Sequence, residues 1–246
     1  MVVAPGYTPA PMFPLRDTIP SRRRPVVTTS IVVVCGLVFL YELLLGAELP
    51  SFFSRWGFHP AHLFYPGHFD TSFLATLRAA VVSMFLHGGW LHIIGNMWFL
   101  WVFGDNVEDA LGHGAFFVFY LACGLAATLA QAIVDPLSTV PMVGASGAIA
   151  GVLGAYLVWF PWSRVKTFVF LGFFFTVAEL PAPLFLIMWF VIQFFSGTLS
   201  LAAASGGGGV AFFAHIGGFV AGMAVAVGLR RWGIVRPRPR GVIFWE

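Results

Sequence analysis

Apolar runs about twenty residues long recur along this chain, and their recurrence constrains it more than any other feature. A hydrocarbon core about 30 Å thick is crossed by about 20 helical residues. Within that core only helices and closed barrels satisfy their own backbone polar groups. The runs at about 27–46, 89–104, 114–134, 143–160 and 210–229 fit helical spans. A further stretch, 167–197, is too long for one straight span and is interrupted at Pro181 and Pro183. Composition agrees, since 59% of the 246 residues are hydrophobic and 9% are charged, where a soluble domain carries about 25% charged residues. The chain reads as an all-α, multi-spanning membrane protein. Its first run is too long for the apolar centre of a signal peptide and has no small-residue cleavage pattern, so it reads as a retained span.

The placement of the basic residues sets the expected topology. Arg16, Arg22, Arg23 and Arg24 precede the first run, Arg164 and Lys166 share one short loop, and Arg230, Arg231, Arg236, Arg238 and Arg240 follow the last run. Only Arg55 and Arg78 lie elsewhere. The positive-inside tendency then favours a single crossing within 167–197, with 167–178 either near the cytoplasmic surface or lengthening a kinked helix. This gives six spans, both termini cytoplasmic, the 47–88 segment outside and 104–112 as a cytoplasmic loop. The expected division is a mobile, proline-containing cytoplasmic tail at 1–25, a six-span domain at 26–230 and a basic cytoplasmic tail at 231–246.

The outer segment holds Phe52, Phe53, Trp56, Phe64, Tyr65 and Phe69, and aromatic side chains favour the membrane interface. It is expected to lie in the outer headgroup region. His59, His62 and His68 in the same segment have no tight metal-ligand spacing. Cys35 and Cys123 sit inside apolar runs and form neither a disulfide framework nor a zinc pattern. No metal, no cofactor and no nucleic-acid partner is expected, and topology accounts for the basic tail.

Polar groups inside spans are costly and tend to be functional. Four stand out: His92 and Asn96 in the second span, Ser146 in the fourth and His215 in the sixth. Spans two, four and six all enter from the outer face, with helix starts near Gly88 and Gly89, Val143 and Val210. At 1.5 Å per residue all four side chains fall within about 5–10 Å of those starts and share one depth. His92 and Asn96 are four apart and share a helix face. Gly147 with Gly151, and Gly218 with Gly222, are small-residue pairs of the kind that lets helices approach closely. His215 lies on the same face as Gly218 and Gly222, so packing of spans four and six would bring Ser146 beside His215. A serine becomes nucleophilic when an adjacent base takes its proton, and a neutral histidine is such a base. Each feature has a structural alternative: a small packing serine, a histidine bonded to a carbonyl, polar glue between helices. Their convergence at one depth is what points to chemistry.

The stretches His87-Gly-Gly-Trp-Leu-His92-Ile-Ile-Gly-Asn96, Gly104-Asp-Asn-Val-Glu108-Asp109 with Gly112, Gly144-Ala-Ser146-Gly147 with Gly151, and Ala214-His215-Ile-Gly-Gly218 with Gly222 resemble the successive signatures of the rhomboid intramembrane serine proteases. They occur in the family's order, and the resemblance covers about 27–230. It implies a six-helix bundle with a membrane-embedded loop between the first two helices, and a Ser146–His215 dyad without an acidic third member. It further implies an oxyanion site made by the Ser146 backbone N–H, the His92 ring and the Asn96 amide. His87, Gly144, Gly147, Gly151, Gly218, Gly222 and Glu108 match the family's supporting positions. Substrates would be transmembrane helices that enter laterally near the fifth span and are cut near their outer end after a small residue, with the glycines at 206–209 as a flexible lid. Two positions depart from the family pattern. Leu77 stands before Arg78 where a tryptophan is common, and Ala150 stands where some members stack a tyrosine on the catalytic histidine, leaving the His215 ring without that support.

The alternatives are a catalytically inactive relative that binds membrane helices, and a six-span transporter. The first would be expected to lack Ser146 or His215. The second would show midplane charges and a repeat between halves. A haem-binding cytochrome would leave Ser146 and Asn96 without a role, and the H-E-x-x-H of a metalloprotease is absent. The compact six-span form points to a bacterial plasma membrane.

Overall fold

The computed structural model describes residues 12–171, 174–202 and 211–235. In chain order these form β1 (Met12–Asp17), α1 (Val26–Leu44), α2 (Leu49–Trp56), α3 (Pro60–Phe64), α4 (Phe73–Val82), α5 (Trp90–Leu111), α6 (His113–Val134), α7 (Ser146–Trp159), β2 (Arg164–Leu171), β3 (Phe174–Pro181), α8 (Ala182–Ala202) and α9 (Phe212–Arg231). The 206–209 lid and the arginines at 236, 238 and 240 lie outside the described residues.

The architecture is a membrane helical bundle. Large apolar side chains face outward, including Leu44 (85% exposed) and Leu91 (87%), as a lipid solvent permits. Three described helices are long and apolar enough to span by themselves: α1, α6 and α9. Phe73–Phe85 and α5 meet at a bend of 85° and pass together as a fourth. The remaining apolar helices, α7 with 14 residues and Ala182–Phe195 of α8, are shorter. At 1.5 Å per residue α7 is about 21 Å long, less than a hydrocarbon core of about 30 Å. It is also buried continuously from Gly147 to Tyr156, as expected of a helix apolar all round. α7 is therefore the hub, with α5, α6 and α9 around it.

Three sequence expectations change. First, 104–112 is not a loop: α5 runs on to Leu111, and Gly112 ends it at φ 81°, a conformation that favours glycine. The helix continues because its acids are used. Glu108, 1% exposed, accepts the Val27 and Thr28 backbone N–H groups at 2.8 Å each and the His113 Nδ1–H at 2.6 Å. It thereby caps the first turn of α1, where free amides and the helix dipole favour an anion. Second, 167–178 does not lengthen a helix. β2 and β3 pair antiparallel, with Thr167 opposite Ala178. The β-branched and aromatic residues here favour strands, and Val165 and Thr167 are buried two apart, the strand period.

Third, residues 12–17 of the 1–25 tail are not free, because β1 pairs antiparallel with β2 from Met12↔Val169 to Asp17↔Val165, with an irregularity between Pro14 and Arg16. Side chains of the bundle hold this strand. Trp98 Nε1–H donates to the Pro14 carbonyl at 2.5 Å, while Asn106 Nδ2–H and Tyr156 O–H donate to Asp17 Oδ2 at 2.8 and 2.5 Å. The sheet follows α7, so it lies at the end of the bundle away from Ser146. Val235, in the expected 231–246 tail, is also buried against the core.

The 47–88 segment contains three short helices, α2 to α4, of which α3 and α4 pack on α6, and it is tied to the loop before α7. Phe58 and Met142 exchange backbone hydrogen bonds at 3.1 and 2.7 Å. Both ring nitrogens of His59 bond to backbone carbonyls, Nδ1 with Thr139 at 2.7 Å and Nε2 with Ser54 at 2.8 Å. Arg78, preceded by Leu77, lies over the Trp56 ring at 5.0 Å, so its aromatic partner comes from α2 instead of from its own neighbour.

Candidate active site

The glycines place α7 and α9 backbone against backbone. A Cβ on Gly218 would lie 2.0 Å from the Gly147 carbonyl oxygen, and one on Gly222 would lie 2.0 Å from that of Gly151. On the α7 side, a Cβ on Gly154 would lie 2.1 Å from the Phe219 oxygen. Only hydrogen fits in these gaps, so each glycine is required by approach. Gly147 and Gly151 also face α6, where a Cβ would meet Ala127 and Cys123.

This contact brings Ser146 and His215 together. Ser146 Oγ and His215 Nε2 are 2.7 Å apart, and His215 Nδ1 lies 2.7 Å from Gln193 Oε1 on α8. A carbonyl oxygen only accepts, so Nδ1 carries the hydrogen, and in a neutral ring Nε2 is then left to accept the Ser146 hydroxyl. Ala150 is fully buried and offers the ring nothing to stack on. Among the described residues, Trp189 lies 6.0 Å and Phe212 6.4 Å from the His215 ring.

α7 begins at Ser146, about one turn later than the start expected near Val143. The reason lies at Gly144, whose φ of 130° breaks the helix and whose N–H donates to the Ser83 carbonyl at 2.8 Å. The Ser146 amide is consequently one of the first-turn N–H groups that have no intrahelical acceptor. Starts at Trp90 and Phe212, close to those expected, put His92 and His215 in the first turns of α5 and α9.

His92 stands beside this turn. A Cβ on Gly144 would lie 2.7 Å from His92 Nε2 and 3.7 Å from Ser146 Oγ, so both flank the same backbone point. The Gly88 N–H donates to His92 Nδ1 at 3.3 Å, which leaves Nε2 to carry the ring's hydrogen toward Gly144. Asn96, one turn further along the same face of α5, is 8% exposed, and its Nδ2 is buried with no hydrogen-bond partner among the described residues. The arrangement holds a hydroxyl beside a base, with a ring N–H and a free amide on a neighbouring helix.

His87 is buried, with its ring 5.2 Å from that of His92 and its backbone N–H donating to Glu42 Oε1 at 3.2 Å. Glu108 lies further along α5, capping α1 as described above. Two residues near the site were missed from sequence, Gln193 and Gln131. Gln131 Oε1 on α6 accepts the N–H groups of Phe213 and Ala214 at 3.1 and 3.3 Å, capping the start of α9 just before His215. They are the only glutamines in the chain, and a polar amide in an apolar run is a signal of the same kind as Asn96.

A family model described as Rhomboid domain matches residues 75–232. The chain is 33% identical over 96 residues to the rhomboid-like protein 11, chloroplastic, of Arabidopsis thaliana, covering 37% of this chain and 34% of that protein. It is 31% identical over 119 residues to the rhomboid protein 1, mitochondrial, of Saccharomyces cerevisiae, covering 47% and 33%. It is 25% identical over 215 residues to the rhomboid protease GlpG of Salmonella choleraesuis, covering 87% and 66%. The chain thus spans about a third of the length of the first two relatives.

Proposed function

We propose that this chain, an integral multi-pass membrane protein that belongs to the rhomboid family, is a serine endopeptidase cleaving transmembrane helices of other proteins within the bilayer. The observation that carries the reading is the 2.7 Å contact between Ser146 Oγ and His215 Nε2 at the start of α7. The relatives named as rhomboid proteases support the same class.

Ser146 Oγ attacks the scissile carbonyl while His215 Nε2 takes its proton. The carbonyl oxygen becomes an oxyanion, received by the Ser146 backbone N–H, the His92 Nε2–H and the Asn96 Nδ2–H. Such donors are worth about 3–4 kcal/mol each when aimed at the developing charge. His215 then gives the proton to the leaving amine, and a water activated by the same nitrogen hydrolyses the ester. Substrate helices approach beside α8 and are cut near their outer end after a small residue. The proposed setting is a bacterial plasma membrane crossed six times by the 26–230 domain, with both termini cytoplasmic.

The test is cleavage of a fluorescent transmembrane substrate in liposomes by the parent, Ser146→Ala and His215→Ala. Both variants are expected to lose cleavage by at least a thousandfold. A fluorophosphonate should label Ser146 in the parent and not in His215→Ala. Full activity in either variant would show the dyad to be wrong, and a parent that neither cleaves nor labels would point to an inactive relative.

A further inference from the structure

We infer that Gln193 on α8 is a positioning residue for His215, holding the ring in the tautomer and orientation that make Nε2 the base. This role rests on the Ser146–His215 chemistry proposed above.

A serine contact alone does not select that tautomer. With its hydrogen on Nε2, the ring would donate to Ser146 Oγ and could not take its proton. With the hydrogen on Nδ1, Nε2 accepts and is basic. An acceptor at Nδ1 therefore decides whether the pair is reactive, and Gln193 Oε1 is 2.7 Å from that atom. Among the described residues nothing stacks closely on the ring: position 150 is a buried alanine, and Trp189 and Phe212 sit at 6.0 and 6.4 Å. The in-plane hydrogen bond is the specific constraint that remains. A carboxylate would do the same work in water-facing enzymes and also stabilise the imidazolium, but a charge at this depth is costly. The amide orients without adding one. Gln193 also lies on α8 while Ser146 and His215 lie on α7 and α9, so the bond ties the reactive pair to a third helix.

The test uses the full chain in liposomes with a fluorogenic transmembrane substrate, reading kcat and KM from pH 5 to pH 9. Folded enzyme is counted by the monodisperse size-exclusion peak and its thermal melt, so loss of folded protein does not enter kcat. Gln193→Met keeps the length and removes the acceptor; kcat per folded enzyme should fall at least tenfold, with KM changing less than twofold. Gln193→Glu keeps an acceptor oxygen and adds charge. It should recover most of the kcat lost in Gln193→Met and move the acid limb of kcat/KM up by about one pH unit, because a neighbouring carboxylate favours the imidazolium. A residue that only packs α8 against α9 would leave that limb in place. Gln193→Met at parental kcat, or Gln193→Glu with the parent's acid limb, overturns the role. Should Gln193→Met not fold, the Gln193→Glu profile decides alone. A parent that neither cleaves nor labels overturns the proposed activity, and this role with it; a labelled, active parent confines any failure to Gln193.

Discussion

Gly218→Ala tests the link between helix packing and chemistry, and its effect follows from one distance. The added Cβ would lie 2.0 Å from the Gly147 carbonyl oxygen, whereas a carbon and a carbonyl oxygen approach comfortably to about 3.3 Å. Because the obstacle is backbone, no side chain can turn aside, and α9 has to withdraw by about 1.3 Å. Such overpacking costs about 1–3 kcal/mol of stability. His215 lies one turn away on the same rigid helix face and moves with Gly218. Its 2.7 Å contact with Ser146 then opens to about 4 Å, past the range of a hydrogen bond. A misplacement of about 1 Å costs about a hundredfold in rate, which is about 2.7 kcal/mol of transition-state stabilisation. The expected result is a kcat/KM about a hundred times below the parent in liposomes, with weak fluorophosphonate labelling. Gly228→Ala on the same helix, where a Cβ meets nothing within 4 Å, should stay within twofold. A folded Gly218→Ala that cleaves at a third of the parental rate or better would refute the argument that these glycines set the Ser146–His215 distance.

Other expectations concern the oxyanion site, the α1 cap and the sheet. Asn96→Ala removes the buried, unpartnered amide and should lower kcat about 10²–10³-fold with little change in KM; a larger effect on KM than on kcat would mean that Asn96 binds the ground state. Glu108→Ala strips the acceptor from two α1 amides and from His113, and should destabilise by about 1–3 kcal/mol, seen as a lower melting temperature in detergent; an unchanged melt would dismiss the cap. Burial, with Asp105 adding to it and the Tyr156 hydrogen bond opposing it, pushes the Asp17 carboxyl up from 3.8 to about 7, so folding favours the protonated form. The stabilisation is complete below about pH 4 and is lost as pH rises toward 7, amounting to about 4 kcal/mol at most. Protection factors for hydrogen exchange at residues 12–17, corrected for the intrinsic rise of exchange with pH, should accordingly fall between pH 4 and pH 7 in the parent and show no such step in Asp17→Asn.

Much of the candidate site was legible because the signals are local. A polar side chain in an apolar run costs free energy wherever the run packs, so His92, Asn96, Ser146 and His215 stood out without coordinates. Glycine at every fourth position declares which helix faces meet, and α7 and α9 do meet there. Gln131 and Gln193 carry the same signal, each an amide within an apolar run.

What only the tertiary structure decided depends on partners far apart in the chain. β1 and β2 pair across about 150 residues, and a strand's partner is invisible in a window of its own sequence, so hydropathy alone does not distinguish the hairpin from a helix extension. Glu108 became a cap, and α5 a longer helix, because the free amides of α1 come to it in space. The hydrogen on His215 was decided by Gln193, and the hydrogen on His92 by Gly88. Hydropathy and small-residue spacing fix which segments enter the membrane and which faces touch. Which nitrogen is basic, and which acceptor makes it so, is settled by directional hydrogen bonds that exist only once the helices are packed.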